Sequence, residues 1–308
     1  MIICVIYYQL STYNLWKELK MKIGSLVKQI RQSKKIPTET IYRDIMSKSM
    51  YYKFENSKND ITSSNLLIIL DRLNMSLKEF EYLIHDGLLP AYQESFQRMY
   101  SAIYRQDVDD LQELHQSTKL NQKKKLRTED RHLQTLVELY IEKLSGQPLD
   151  SKKVDIIKTY LLKCDSWYYY EWSLFNNSIF IFDVATIDAL FDQTFNNLET
   201  YESHNALGNE SVLFVANLLS LLIQQQQIEL ANKYLKSLNL IKVPETAVFE
   251  TILIKFYNKL LLGINSHKSP KQDVLNLISI FLKLNLKPLY ASHQKLLDFV
   301  LQTYSFDK

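Results

Sequence analysis

The scarcity of glycine and proline constrains this chain more than any other feature of its sequence. Five glycines and six prolines are distributed over 308 residues. Sheets, hairpins and nucleotide-binding loops need glycine in their turns, because several turn types require positive φ angles. Hydrophobic residues make up 46% of the chain and charged residues 23%, as in a folded globular protein. We therefore expect an all-α fold of long helices with short connections.

The segment from Met21 to Gly87 is predicted to form five short helices. They are placed at Ile23–Ser33, from the residue after Pro37 through Ile41 to Ile45, Lys48–Glu55, Ser63–Leu73 and Leu77–Ile84. Thr62 or Ser63 is the expected N-cap of the fourth helix, and Ser76 that of the fifth. This order is the layout of a helix-turn-helix domain, whose third helix enters the major groove of DNA.

Positive charge is concentrated in the same segment. Residues 21–60 carry nine Lys or Arg and four Asp or Glu, a net charge of +5, whereas the residues after 60 carry −3. A basic small domain joined to an acidic large one indicates that the small domain meets a polyanion. Double-stranded DNA is therefore the expected partner of residues 21–87.

The third predicted helix carries the candidate DNA-reading residues. Tyr51 and Phe54 face inward at helical spacing, so the other side chains face outward. Arg31 and Glu55 are expected to form a structural ion pair between the first and third helices. Lysine can reach guanine edges or phosphates, hydroxyl groups can donate to phosphate, and methionine can contact a thymine methyl. The candidates are Ser47, which would cap the helix, Lys48, Ser49, Met50, Tyr52 and Lys53, with Thr38, and with Lys22, Arg43 and Lys58 as phosphate contacts.

From Ala91 onward, the sequence predicts a train of amphipathic helices. Helix pairs recur with a period near 40, so that Tyr140, Trp172, Phe214 and Leu253 fall at similar places. This spacing suits a tetratricopeptide-like (TPR-like) α-helical repeat over residues 91–308, whose stacked pairs curve into a concave binding surface.

Two local features refine this prediction. The run Trp167–Phe182 is apolar and aromatic nearly all round, which predicts a helix buried on most of its faces. Gly146, Gly208 and Gly263 are expected to fall between helices.

No enzyme or metal-site motif is present in the sequence. It lacks a phosphate-cradling Gly-rich loop, G-x-S-x-G and H-E-x-x-H, and its six histidines lack metal-ligand spacing. We predict no catalytic residue, no metal and no cofactor. Cys4 and Cys164 are too few for a disulfide framework and are interpreted as thiols in a reducing cytoplasm.

Residues 1–20 are interpreted as an N-terminal extension outside the fold, with Met21 as the start of the working protein. An extra helix packed on the domain is the alternative. The apolar run is too short to span a bilayer, and it lacks the basic flank and cleavage site of a signal peptide. We therefore expect a cytoplasmic protein with no membrane partner.

Three stretches of the sequence resemble a known family. The run SKSMYYKFE, Ser47–Glu55, resembles the recognition-helix pattern S-x-S-x-x-S-x-[IF]-E of lambda-repressor-like (XRE) domains. The runs IGSLVKQIRQ and LDRLNMSLKEFEYL, together with the aromatic WYYYEWSLFNN, resemble the Rgg, PrgX and MutR family of pheromone-responsive transcriptional regulators. Three positions depart from that pattern: Pro37-Thr38 replaces the usual Ser-Gln, Tyr52 replaces a small Ser, and Ser57 replaces a Gly.

This resemblance implies a sequence-specific transcriptional regulator that acts in quorum sensing. It implies a homodimer, and a short hydrophobic signalling peptide bound on the concave face of the repeats. Asparagine suits an extended peptide backbone, because its side chain both donates and accepts hydrogen bonds. The candidate peptide-binding residues are Asn176, Asn177, Asn217 and Asn258, with Tyr170, Trp172, Phe214 and Tyr257 as apolar walls.

Two other functions fit the same residues. The protein could be a DNA-binding repressor whose repeat domain only dimerises or binds a protein antagonist. It could also be a helical-repeat scaffold that does not bind DNA, although the charge asymmetry argues against this alternative.

Overall fold

The computed structural model describes residues 16–84, 91–120, 127–191 and 210–307. These residues contain helices and connections but no strand, so the predicted all-α fold class is confirmed. The chain divides into two compact units, which meet in sequence between Arg98 and Met99. None of the described helices combines the length and the apolar character needed to cross a membrane.

The first unit contains the five predicted short helices. They are α1 (Trp16–Ser33), α2 (Thr38–Tyr42), α3 (Lys48–Glu55), α4 (Ser63–Arg72) and α5 (Leu77–Ile84). The hydroxyl oxygen of Thr62 accepts a hydrogen bond from the Asn65 amide (3.2 Å), and that of Ser76 accepts one from the Glu79 amide (3.1 Å). Both N-caps therefore lie where the sequence predicts them.

Two helix limits in this unit differ from the prediction by more than one residue. Helix α1 begins at Trp16, so residues 16–20, assigned to the extension, continue the first helix; the segment contains no glycine or proline. Residues 1–15, the rest of the predicted extension, lie outside the described part of the chain. Helix α2 ends at Tyr42 and not at Ile45, because Asp44 adopts a positive φ of 63°.

A single apolar core holds the five helices together. Val27, Ile41, Phe54, Leu70 and Phe80 bring one buried residue from each helix into it. Helix α1 crosses α3 very closely: a Cβ atom added to the glycine at position 24 would lie 1.8 Å from the carbonyl oxygen of Phe54. Only glycine fits this crossing, which fixes the distance between the first helix and the predicted recognition helix.

The remaining described helices follow as a train. They are α6 (Ala91–Arg105), which contains the boundary between the units, α7 (Val108–Leu120), α8 (Thr128–Leu144), α9 (Ser151–Lys163), α10 (Tyr169–Ser178), α11 (helical over 184–191), α12 (Glu210–Gln224), α13 (Ile228–Leu240), α14 (Val248–Ser266), α15 (Lys271–Lys283) and α16 (Lys287–Thr303).

The repeat period near 40 is confirmed by these bounds. Helices α8, α10, α12, α14 and α16 begin at intervals of 38–41 residues. Helix α12 packs against α13, α14 and α16, so the first helices of successive pairs lie side by side. Tyr140, Trp172, Phe214 and Leu253 are all buried, one on each of the first four of these helices.

The prediction that Gly263 separates two helices is wrong, because this glycine lies inside α14. A Cβ atom there would lie 2.8 Å from the Pro270 side chain and 2.9 Å from the Lys268 carbonyl oxygen, so the missing side chain permits a close approach. Gly146 does lie between helices, with a φ of 68°. The expected break at Gly208 falls outside the described residues.

The predicted aromatic helix is shorter than the run Trp167–Phe182. Helix α10 begins at Tyr169, and a 3₁₀ turn over Ile179–Ile181 follows it. Residues 171–179 are all buried, as the apolar pattern predicts.

Candidate functional site

A buried carboxylate fixes α3, the predicted recognition helix. The Arg31 guanidinium donates two hydrogen bonds to Glu55, at 2.6 and 2.9 Å, and the Tyr42 hydroxyl donates a third at 2.7 Å. These bonds join α1, α2 and α3 at one point. The hydrogen bond to Glu55 raises the pKa of Arg31, and burial together with the same carboxylate raises the pKa of Tyr42. The predicted Arg31–Glu55 pair is therefore present, and Tyr42 completes it.

Two further cations hold the ends of the helix-turn-helix. The Arg72 guanidinium donates to the carbonyl oxygens of Ile41 and Arg43, at 2.9 and 2.6 Å, and so holds the turn between α2 and α3. The Lys28 ammonium donates to the Asn56 side chain at 3.1 Å, directly after α3. Neither role could be predicted from the sequence, because Arg72 and Lys28 are both distant in sequence from the groups that they contact.

The outward face of α3 has the composition predicted for a DNA-reading surface. The Ser47 hydroxyl accepts from the Met50 amide at 3.4 Å and caps the helix. Phe54 is buried, and Tyr51 is half-buried with its ring stacked on Tyr42 at 4.8 Å. The exposed candidates are Ser47, Lys48, Ser49, Met50, Tyr52 and Lys53.

The other candidates in this unit lie around α3. Arg43 is exposed and pairs with Glu39 at 3.0 Å, so a phosphate would compete with that carboxylate. Lys58 is exposed after the end of α3, where its amide donates to the Lys53 carbonyl oxygen. Thr38 is half-buried as the first residue of α2. The side chain of Lys22 lies outside the described part of the chain.

Helices α10 and α12 share a buried polar contact in the repeat unit. The Asn217 amide donates to the Asn176 side-chain oxygen at 3.1 Å. One turn before Asn176, the Trp172 ring packs edge-on against Phe214 with 4.9 Å between ring centroids. All four side chains are buried. The structure therefore brings together four of the eight predicted peptide-binding residues, two amides and two aromatic rings.

Two hydrogen-bond donors at this contact are unsatisfied. Among the described residues, neither Trp172 Nε1 nor Asn176 Nδ2 has a partner, although both atoms are buried. Such a group costs about 1–3 kcal/mol relative to a hydrogen-bonded one. Because Trp172 and Asn176 are four residues apart on α10, both face α12 from successive turns. The contact therefore presents two unsatisfied donors, carried by residues that are offset by about 6 Å along the helix axis.

Comparison with models of protein families identifies the family of this chain. A family model described as the C-terminal domain of the HTH-type transcriptional regulator Rgg matches residues 111–295. The chain belongs to the Rgg family. That match covers more than half of its length, and it includes α10, α12 and the contact between them.

Solved structures share the fold over nearly the whole chain. A Listeria monocytogenes EGD-e protein described as a transcriptional regulator has a TM-score of 0.76 at 21% identity, covering 91% of this chain and 97% of its own. The SHP pheromone receptor Rgg2 of Streptococcus dysgalactiae has a TM-score of 0.67 at 17% identity, covering 89% and 98%. PrgX has a TM-score of 0.66 at 16% identity, covering 93% and 96%.

The other four predicted peptide contacts of this Rgg-family protein lie elsewhere. Asn177 donates to the Ser173 carbonyl oxygen at 2.7 Å, and its own carbonyl oxygen accepts from Tyr140 at 2.8 Å. Asn258 exchanges hydrogen bonds with Asn239 of α13, at 2.7 and 3.0 Å. These two asparagines therefore stabilise helix packing and do not extend the Asn176–Asn217 contact.

The two remaining aromatic candidates are also engaged in packing. Tyr257 is fully buried beside Phe256, with 5.2 Å between ring centroids. Tyr170 is half-buried, and its hydroxyl bonds His132 Nδ1 of α8 at 2.5 Å. Burial lowers the pKa of His132 to about 4, so its imidazole is neutral near pH 7. The burial of His132 could not be predicted from the sequence, because the residues just before it are polar.

Proposed function

We propose that this Rgg-family protein binds double-stranded DNA through α3 and that a short apolar peptide controls this binding from the α10–α12 contact. We further propose that it acts as a homodimer, with two α3 helices in major grooves one helical turn apart, roughly 34 Å. The observation that carries the peptide part is the pair of buried, unsatisfied donors on Trp172 and Asn176.

The spacing of those donors fits an extended chain. Carbonyl groups on one edge of an extended peptide repeat every two residues, about 6.6 Å apart. The two residues that carry the donors are offset by about 6 Å along the axis of α10, four residues at 1.5 Å each. Alternate carbonyl oxygens of one peptide can therefore satisfy both donors, while its apolar side chains replace the Trp172–Phe214 packing.

The buried state of this contact defines the mechanism. A peptide must separate α10 from α12 to reach the donors, so it selects an opened arrangement of the repeats. PrgX, which shares this fold, has been solved in complex with cCF10 and with iCF10. We infer that peptide binding changes the population of two dimer arrangements and thereby the affinity for DNA.

Selection from random duplexes tests the DNA-binding part. Full-length protein should enrich a repeated half-site, and its affinity should fall steeply with salt because lysine–phosphate contacts release counterions. Lys48→Ala combined with Lys53→Ala should remove the enrichment, while Lys236→Ala, an exposed lysine on α13, should preserve it. Failure of the unmodified protein to enrich any duplex sequence would refute DNA reading.

Peptide titration tests the control mechanism. Synthetic peptides translated from short reading frames beside the gene should quench or shift tryptophan fluorescence and change affinity for the selected duplex. Trp172→Phe removes one donor and Asn176→Leu removes the other, so each should weaken peptide binding roughly tenfold while leaving DNA affinity without peptide unchanged. Peptide affinity in both variants equal to that of the unmodified protein would refute the proposed contact.

A further inference from the structure

Five large apolar side chains are exposed together at one end of the last two repeats. Exposed leucines that stand alone are ordinary, but a contiguous apolar patch marks an interaction surface. We call this patch the leucine edge; its members are Leu240, Val248, Leu282, Leu284 and Leu286.

The chain connections place these five residues at the same end. Leu240 ends α13 and Val248 begins α14, while Leu282 lies in the last turn of α15, just before α16. Helices α14 and α15 pack against each other, and the rings of Phe249 and Phe281 lie 6.0 Å apart. The start of α14 therefore adjoins the end of α15, and the two connections lie at the same end of these helices.

The leucine edge is held by its backbone. Asn285 adopts a φ of 58° after α15. The Leu286 amide donates to the Phe281 carbonyl oxygen at 2.7 Å, and the Asn285 amide donates to the Leu282 carbonyl oxygen at 3.0 Å. This pair of bonds is a Schellman motif, which fixes the path of the chain after a helix. The leucines are thus displayed by a formed turn, so a partner would pay little ordering entropy.

Positive charge surrounds the same leucines. Lys242, Lys283 and Lys287 are exposed within the two connections, against one exposed acidic residue, Glu245. Residues 99–308 carry 23 Lys or Arg and 24 Asp or Glu, a net charge of −1, so this basic border differs in sign from the rest of the unit. An apolar centre with a basic border is complementary to an apolar surface with an acidic border.

We propose that the leucine edge binds an acidic amphipathic helix of another protein. A second copy of this chain is a poorer fit, because a symmetric contact would bring the same lysines together. A lipid surface is also a poorer fit, because membrane-binding faces insert projecting apolar groups about 5–10 Å deep. Here the leucines of the α15–α16 turn, Leu284 and Leu286, are only 58% and 41% exposed.

This proposal does not depend on DNA or pheromone binding, and it can be tested with the full-length protein and defined peptides. The probe is an 18-residue helical peptide with leucine on one face and glutamate elsewhere, paired with a twin that carries lysine in place of glutamate. Fluorescence anisotropy should show binding of the acidic peptide and not of the basic twin. Leu284→Glu should weaken that binding about tenfold or more, as expected for a central anchor.

A closely matched control is available on α9. Leu162 is 59% exposed, against 58% for Leu284. Each has an exposed lysine as a neighbour in sequence, Lys163 after Leu162 and Lys283 before Leu284. Leu162→Glu should leave peptide affinity within about twofold. Lys283→Glu combined with Lys287→Glu should transfer the preference to the basic twin, whereas Lys163→Glu should not. This charge reversal involves only exposed side chains and supplies a second test if Leu284→Glu fails to fold.

Several results would overturn the proposal. Absence of acidic-peptide binding, equal binding of both peptides, or unchanged affinity in the edge variants would each do so. Binding of phosphatidylglycerol vesicles that requires Leu284, without acidic-peptide binding, would identify a lipid surface instead. Self-association that is lost in Leu284→Glu, again without peptide binding, would identify a second copy.

Discussion

The buried polar groups of the two units differ in how completely they are hydrogen-bonded. In the first unit, Glu55 receives three hydrogen bonds from two side chains. In the second unit, Asn176 has a partner for its oxygen but none among the described residues for its Nδ2 atom. A satisfied polar network fixes one arrangement, whereas a half-satisfied one is costly until another group completes it. The difference suits the DNA-reading surface proposed for the first unit, which should be rigid, and the peptide site proposed for the second, which should respond to a ligand.

Removal of Glu55 is the strongest test of the rigid side of this comparison. Glu55→Ala leaves the partly buried Arg31 guanidinium and the buried Tyr42 hydroxyl without their shared acceptor, which should cost about 3–5 kcal/mol. Hydrogen exchange of peptides from α1 and α3 should report this loss as a lower opening free energy. Opening free energies in the second unit should change little, because the network lies wholly within the first.

The exposed Glu39–Arg43 pair supplies the control. Its side chains are solvent-exposed, so Glu39→Ala should cost less than about 1 kcal/mol. Equal effects of Glu39→Ala and Glu55→Ala would show that the buried network contributes nothing beyond a surface pair.

Acid should weaken the second unit through two buried histidines. Burial lowers the pKa of both His132 and His293 to about 4, against about 6.5 in an unfolded chain. The unfolded state therefore binds more protons below pH 6.5, so the stability present above that pH is lost as the pH falls toward 4. At pH 5, each histidine should cost about 2 kcal/mol.

Urea unfolding monitored by tryptophan fluorescence checks this pH dependence. Trp167 and Trp172 report on the second unit, where His293 lies between Phe256 and Phe281 at ring distances of 4.8 and 5.1 Å. His293→Phe removes one titrating group from an aromatic setting and should roughly halve the loss between pH 7 and pH 5. An undiminished loss in this variant would assign the acid sensitivity to other groups.

Replacement of the central asparagines tests the half-satisfied side of the comparison. Asn176→Leu alone removes the acceptor of the 3.1 Å hydrogen bond from the Asn217 amide and should cost about 1–3 kcal/mol. Asn176→Leu combined with Asn217→Leu removes the donor of that bond as well and replaces both groups by apolar ones, so the part of the loss that comes from this hydrogen bond should return. Urea unfolding of the two variants measures the difference. If the double variant is less stable than the single one, the two asparagines stabilise the fold and do not form a site that a ligand completes.

The sequence predicts the features that depend on nearby residues and not those that depend on contacts between distant segments. Phe54, Tyr51 and Glu55 were placed correctly because their roles follow from helical spacing within one short segment. The period near 40 was predictable for the same reason, since it reflects local helix lengths. Gly263 was misassigned because a glycine inside a helix and one between helices look alike until its neighbour, Pro270, is placed in space.

The candidate peptide site was only partly predictable for a related reason. Asn176 and Asn177 are adjacent in sequence, yet only Asn176 meets Asn217, because neighbouring residues on a helix point about 100° apart. The direction of each side chain depends on the rotation of α10 against α12, a property of packing between distant segments. The residue type alone identifies asparagines as candidates and does not show which of them contact one another.

The smallest expected effect concerns a residual strain at the end of the rigid network. Ser57 lies just after α3 and has a φ of 55°, a conformation that is unfavourable for most residues other than glycine. Ser57→Gly should raise the opening free energy of α3 by about 0.5–1 kcal/mol, because relief of strain exceeds the added entropy of the unfolded chain. Ser57→Ala keeps the Cβ atom and should give no such gain. If hydrogen exchange of α3 slows equally in both variants, the serine hydroxyl, and not the backbone conformation, is the source of the effect.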